Sequence, residues 1–202
     1  MAVLKKIDTA NYSNIKTGWY LAYYHSTKEQ VNDPVSQYLL DFKRNIEPIT
    51  SKWIRLASSF FKDKFKPDLI IRVLASSETI WVNGSSIDKL GHALDIKNIS
   101  KYRPRTLYKI RTTRPLKVLN KHEREEEVKE VYRFVKPDFQ VKSVLLLDDI
   151  LTSGTTINEI KRAISVEIPD IDLYLFVMGK TYDSWRDQSG DNSETKSSLE
   201  KV

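Results

Sequence analysis

Asp148 and Asp149 end an apolar run and open a hydroxyl-rich loop, within the stretch VLLLDDILTSGTTINEI at residues 144–160. Each part has a chemical use. Adjacent carboxylates accept hydrogen bonds from two vicinal sugar hydroxyls. The loop Thr152-Ser153-Gly154-Thr155-Thr156 supplies four hydroxyls, and its glycine allows positive φ or close backbone approach. Backbone N–H groups of such a loop and of the helix that follows converge on one point and favour an anion there. A phosphate cradle beside a diol clamp describes a site for ribose 5-phosphate. Ordinary turn chemistry, with Thr155 as a helix cap, is the plainer alternative. A Walker A loop is excluded because no Gly-Lys-Thr/Ser follows, and a phosphoacceptor receiver domain needs more βα units than the remaining chain can hold.

Residues 144–156 resemble the PRPP-binding motif of type I phosphoribosyltransferases, a hydrophobic strand, two acidic residues and a Thr/Ser-Gly-x-Thr loop. The resemblance implies that Asp148 and Asp149 hold the ribose hydroxyls and that Thr152, Ser153, Gly154, Thr155 and Thr156 bind the 5-phosphate. It also implies Mg2+, held largely by the oxygens of PRPP and only indirectly by Asp148 and Asp149. Over residues 35–180 the chain is similar to the ComF-like branch. Ala75, Ser76, Ser77 and Glu78 stand where that family's first-strand loop contacts pyrophosphate. Arg103-Pro-Arg105-Thr106 matches the Arg-x-Arg-x-Thr stretch, while Glu127 replaces the Asn of a later Arg-x-x-Asn-Val motif. The cysteine-rich zinc segment of many ComF proteins is absent.

The basic stretch from Lys101 to Lys121 lies between these two regions, and residues 101–136 hold twelve Lys/Arg against five Glu. By its place in the chain it resembles the mobile catalytic loop of type I enzymes. Arg103 and Arg105 are then catalytic, because cations there stabilise charge growing on departing pyrophosphate. The alternative is a nucleic-acid patch, with Tyr102 and Tyr108 stacking on bases. Trp81, just past the Ser-Ser-Glu loop, is a candidate floor for a base pocket. The three histidines show no metal-ligand spacing.

These residues need a scaffold. Three runs read as buried strands, Leu69–Ala75, Val141–Leu147 and Asp172–Met178, each introduced by a Pro-Asp pair at or shortly before its start. Helical patterns at Val35–Ile46, Trp53–Phe61, Ser86–Leu94, Glu123–Tyr132 and Thr156–Val166 alternate with them. Continuous apolar strands between helices predict an α/β three-layer domain with a central, mainly parallel sheet. Ligands in such sheets bind beyond the carboxyl ends of strands. Residues 35–182 form the expected phosphoribosyltransferase-like domain. Residues 1–34 read as an N-terminal extension belonging to the hood, and residues 183–202 as a disordered tail.

Composition sets the outer limits. With 202 residues, 40% of them hydrophobic, the chain suits one domain. It has no cysteine, which excludes disulfides, thiol nucleophiles and cysteine-held metal. No apolar run is long enough for a membrane helix, and the first residues lack a signal core, so a cytoplasmic protein is expected. The net charge of +6 favours anionic partners. Two functions compete: transfer of phosphoribose from PRPP to an acceptor, and a PRPP or nucleotide sensor or DNA-associated binding protein without turnover. The partners implied are PRPP or a nucleotide, with nucleic acid and a homodimer as further options.

Overall fold

Strand β1 (Lys5–Lys6) runs antiparallel to β2 (Thr17–Tyr24), and every other strand of the main sheet is parallel to its neighbour. The computed structural model describes residues 4–8, 15–26, 33–61, 65–97, 99–183 and 190–202. The strands β3 (Leu69–Arg72), β4 (Lys101–Tyr102), β7 (Ser143–Leu151) and β8 (Asp172–Thr181) complete the sheet in the order β1-β2-β8-β7-β3-β4. A separate antiparallel ribbon joins β5 (Leu107–Lys109) to β6 (Tyr132–Phe134). One sheet face is covered by α1 (Pro34–Lys43), α2 (Ile49–Phe61), α3 (Ser86–Ile96) and α6 (Ser193–Lys201), through Phe42, Trp53, Leu90 and Leu199. The other is covered by α5 (Thr155–Glu167) and the ribbon, through Ile160, Ile164, Leu107 and Tyr132. A further helix, α4 (Lys121–Val128), lies against α5. The three-layer α/β architecture with a mainly parallel sheet is therefore the expected one.

The helices begin where the sequence supplies caps. The Asp33 carboxylate accepts from the Val35 and Ser36 amides ahead of Pro34, and the Ser85 side chain accepts from the Asp88 amide. Asn120 and Glu123 form a reciprocal capping box on α4. Lys129, which follows that helix, pairs with Glu126 at 3.5 Å.

Both chain ends depart from expectation. The N-terminal segment contributes β2 to the sheet itself, between β1 and β8, with Leu21 and Ala22 fully buried. The tail supplies α6, whose Leu199 is 3% exposed. Polar bonds also hold it. Thr195 Oγ1 donates to the Leu21 carbonyl at 2.6 Å, and Lys52 Nζ to the Leu199 carbonyl at 2.9 Å. Just before it, buried Asn192 pairs with both backbone groups of Tyr23 at 2.8 Å. Residues 184–189, part of that tail, lie outside the described residues.

One row of the sheet is irregular. Pairing of β2 with β8 and of β8 with β7 passes over Leu21, Met178 and Asp149, and resumes in the same register beyond them. There the alternation of faces slips. Leu145, Leu147 and Ile150 share one layer, while Val144, Leu146 and Leu151 share the other. Adjacent Leu21 and Ala22 likewise face the same layer. A regular strand alternates strictly. Gly179 sits just past this row, where a Cβ would stand 2.7 Å from Leu39.

Candidate active site at the carboxyl end of β7

The irregular row lies within the acidic pair. β7 is a central strand and brings Asp148 and Asp149 to its carboxyl-terminal end, although pairing continues through Ile150 and Leu151 before the loop. Asp148 Oδ1 accepts from the Asp149 amide at 2.8 Å, and Asp149 Oδ1 from the Ile150 amide at 2.7 Å. Lys43, at the end of α1, places Nζ 2.8 Å from Asp149 Oδ2. Burial, then the neighbouring Asp149 charge, pushes the Asp148 carboxyl well above the usual carboxylate range. Burial opposes the charge of Lys43, yet the two aspartates outweigh it and raise its pKa.

A cavity of about 350 Å3 opens on this pair, lined also by Arg72, Ala75, Ser76 and Glu78. Two of the expected motifs, on β7 and in the loop after β3, thus share one cleft. Within that loop Glu78 has a different task from holding pyrophosphate. Its carboxylate takes a two-pronged bond from the Arg72 guanidinium at 2.8 Å on each oxygen, and a third bond from the Ala75 amide at 2.7 Å. It braces the turn from inside. Among the described residues the amides and hydroxyls of Ser76 and Ser77 donate to no partner, so these are the groups left to meet an anion.

The hydroxyl loop leads directly into α5. Gly154 is its N-cap residue, at φ +75°, and no side chain caps the helix. Thr155 is therefore not the cap, and the first-turn amides stay open. Ser153 Oγ and Thr155 Oγ1 lie 3.0 Å apart. Ser153 and Thr155 line a wider groove of about 710 Å3, shared with Lys121, Lys129 and Arg162, and not the cavity of the aspartates. Glu125, Glu126 and Glu159 line that groove too, and Lys129 and Arg162 pair with Glu126 and Glu159, so the groove is of mixed charge.

The basic segment departs from the lid expectation. Arg103 and Arg105 do not line the acidic cleft. Arg103 donates to the Tyr102 carbonyl at 2.8 Å and lies 3.4 Å from Asp95, while Arg105 stacks over Trp81 with its Cζ 5.1 Å from the ring centroid. Both line a separate hollow together with Trp81. Tyr102 is unavailable for base stacking, because it is 3% exposed and its hydroxyl donates to Asp88 at 2.7 Å. Further along, Arg111 and Arg114 converge on Glu127 at 3.0 and 2.7 Å. The Arg114 amide and side chain, then Arg111, bring the Glu127 carboxyl down to about 2. The residue that breaks the Arg-x-x-Asn-Val match is the anchor of the segment.

In the sequence Lys109 reads only as one cation of the basic stretch. It is 3% exposed, donates to the carbonyls of Ala75 at 2.6 Å and Ser76 at 3.0 Å, and makes no ion pair among the described residues. It fixes the loop from behind. Burial brings its pKa from 10.5 down to about 8, with Glu78 opposing the shift and Arg111 adding to it. Below the lower value both folded and unfolded chains carry the proton, and the full burial penalty applies. Between the two values only the unfolded chain keeps it, so stability rises with pH. Relative to Lys109→Met, the wild type should gain up to about 3 kcal/mol across that window in denaturant unfolding. A flat difference would place the ammonium in water.

Among the described residues no cluster of three or more His, Cys, Asp or Glu could cage a metal. Two adjacent carboxylates are nevertheless hard oxygen donors, which fit a Mg2+ that brings water and substrate oxygens. Lys43 already sits on one of them. No described helix is long and apolar enough to cross a membrane.

No protein-family model matches the chain. No curated protein matches its sequence. Among solved structures, the glutamine phosphoribosylpyrophosphate (PRPP) amidotransferase from B. subtilis, complexed with ADP and GMP, aligns with 18% identity and a TM-score of 0.37. The alignment covers 64% of this chain and 26% of the amidotransferase chain, so this chain matches about a quarter of that protein's length.

Proposed function

We propose that this chain binds PRPP, or a related ribose 5-phosphate ligand, and transfers phosphoribose to an acceptor with release of pyrophosphate, as a ComF-like phosphoribosyltransferase. The observation that carries the reading is one cleft holding Asp148 and Asp149 against Ala75 and Ser76, with the uncapped N-terminus of α5 next along the chain. In this reading the two carboxylates accept the ribose hydroxyls. The loop Thr152–Thr156 and the first amides of α5 take the 5-phosphate, and Ser76 and Ser77 meet pyrophosphate through uncommitted N–H and O–H groups. Asp148 and Asp149 would share a Mg2+ with the oxygens of PRPP, which offsets charge on the leaving group. The C1–O bond breaks with its electron pair passing to pyrophosphate. The acceptor bonds to C1 and releases its proton to solvent.

A specific observation favours a second reading, binding without turnover. Arg103 and Arg105, the cations expected to close on the leaving group, line another hollow. Calorimetry with PRPP and Mg2+, followed by a pyrophosphate-release assay over a panel of bases, separates the two. Binding with release supports the transferase, and binding alone supports the sensor. No binding overturns both.

A further inference from the structure

The hollow that holds Arg103 and Arg105 has a volume of about 380 Å3 and no acidic lining residue. Its wall is apolar, formed by Trp81, Val135 and Pro137, and Val135 is 54% exposed. The indole is fixed from behind. Its Nε1 donates to Asp88 at 2.6 Å, and this fully buried carboxylate also accepts from the Tyr102 hydroxyl and the Gly84 amide. With its polar edge committed inward, Trp81 offers a ring held in one orientation.

The rim is cationic and largely uncommitted. Among the described residues Arg105 makes no hydrogen bond or ion pair beyond its stack on Trp81, and Lys136 makes none at all. Arg103 is the committed member, donating to the Tyr102 carbonyl at 2.8 Å and lying 3.4 Å from Asp95. A guanidinium on an indole face keeps its N–H groups in the ring-edge directions, free to meet phosphate oxygens. An inorganic anion would leave the apolar wall in water, and an uncharged ring would leave the cations unused. A ligand with both a flat ring and a phosphate satisfies both.

We propose that this hollow is a nucleoside phosphate site, separate from the acidic cleft, with the base against the Trp81–Pro137 wall and the phosphate between Arg105 and Lys136. The proposal does not rest on the phosphoribosyltransferase reading. Its chemistry is shared by a free nucleotide and by one unit of a nucleic acid strand.

The test uses the full chain with adenosine 5′-monophosphate, followed by tryptophan fluorescence and calorimetry. Binding should quench fluorescence, and adenosine or inorganic phosphate alone should bind at least about tenfold more weakly. Lys136→Ala, a surface change, should weaken binding about tenfold through loss of one charge-assisted contact. Trp81→Phe should retain binding and lose the quenching. Ribose 5-phosphate at the nucleotide's own concentration should displace little of it, because it has no base for the wall. A short oligodeoxyadenylate that binds more tightly than the mononucleotide identifies a strand as the source, and equal affinity identifies the free nucleotide. Absence of binding overturns the proposal. So does binding that ribose 5-phosphate displaces and Lys136→Ala leaves unchanged.

Discussion

Asp148→Asn is expected to make the fold more stable and the binding of PRPP weaker. Burial and Asp149 raise the Asp148 carboxyl well above its ordinary 3.8 in the folded chain. A raised carboxyl is protonated in the fold at pH values where the unfolded chain has already ionised. Stability therefore falls as pH climbs from the unfolded value through the folded one, and it stays lower at neutral pH. The amide removes that ionisation, while its Oδ1 still accepts from the Asp149 N–H. Binding moves the other way. One charge-assisted bond from a ribose hydroxyl becomes a neutral one, at about 1 kcal/mol, which corresponds to a roughly fivefold weaker complex. Asp149→Asn should weaken binding similarly without the gain in stability, since it releases the half-exposed Lys43. Calorimetry and urea unfolding on both variants check this. A less stable Asp148→Asn would make the residue a structural anchor and remove it from the ribose clamp.

Arg72→Met is expected to have the largest effect on stability, a loss of about 3–5 kcal/mol. Arg72 is 2% exposed at the end of β3, beside the cavity. Its guanidinium holds Glu78 on both oxygens and donates to the carbonyls of Val73 and Val82 at 3.0 and 2.9 Å. Asp88 lies 3.9 Å from its Nε. Methionine fills the space but strands a carboxylate that is 15% exposed. Adding Glu78→Gln should recover part of the loss, as the charge left behind is removed. Arg72→Lys should recover little, because an ammonium cannot span both oxygens. The readout is the denaturant midpoint, and a loss below about 1 kcal/mol would mean that Glu78 finds water instead.

The stretch from Val144 to Thr156 was legible because every signal there is local: a fully apolar run, two charges, a glycine and a helix pattern in unbroken succession. The same holds for α1 and α3, whose capping residues precede apolar periodicity. What escaped is what depends on partners far along the chain. β2 reads only as aromatic bulk in TGWYLAYY, since the strand slips between layers at Leu21 and Ala22 and shows no clean alternation. In SETKSSLEK, α6 has Leu199 as its single large apolar residue, and its place is set by bonds to Leu21 and Lys52 that no spacing announces. Arg103 and Arg105 were read from a motif and from chain position. A packed Trp81 and the nearby Asp95 claim them instead. Lys43 carried no signal, because a single lysine at the end of a helix looks like solvated charge, and Lys109 counted only as one cation of the basic stretch.

The row through Leu21, Met178 and Asp149 gives the cleft two clocks. Three adjacent strands change face there together, with Ala22 and Gly179 set against α1. Leu21 and Met178 in that row are fully buried, so the floor of the cleft opens at a higher cost than its rim. The walls answer to smaller barriers. The 75–78 turn is fastened by side chains, and the 152–154 loop meets solvent at Thr152 and Ser153. Amide exchange would accordingly be slowest at the floor of the cleft and fast along its rim. A ligand then enters by moving loops over carboxylates that are already in position.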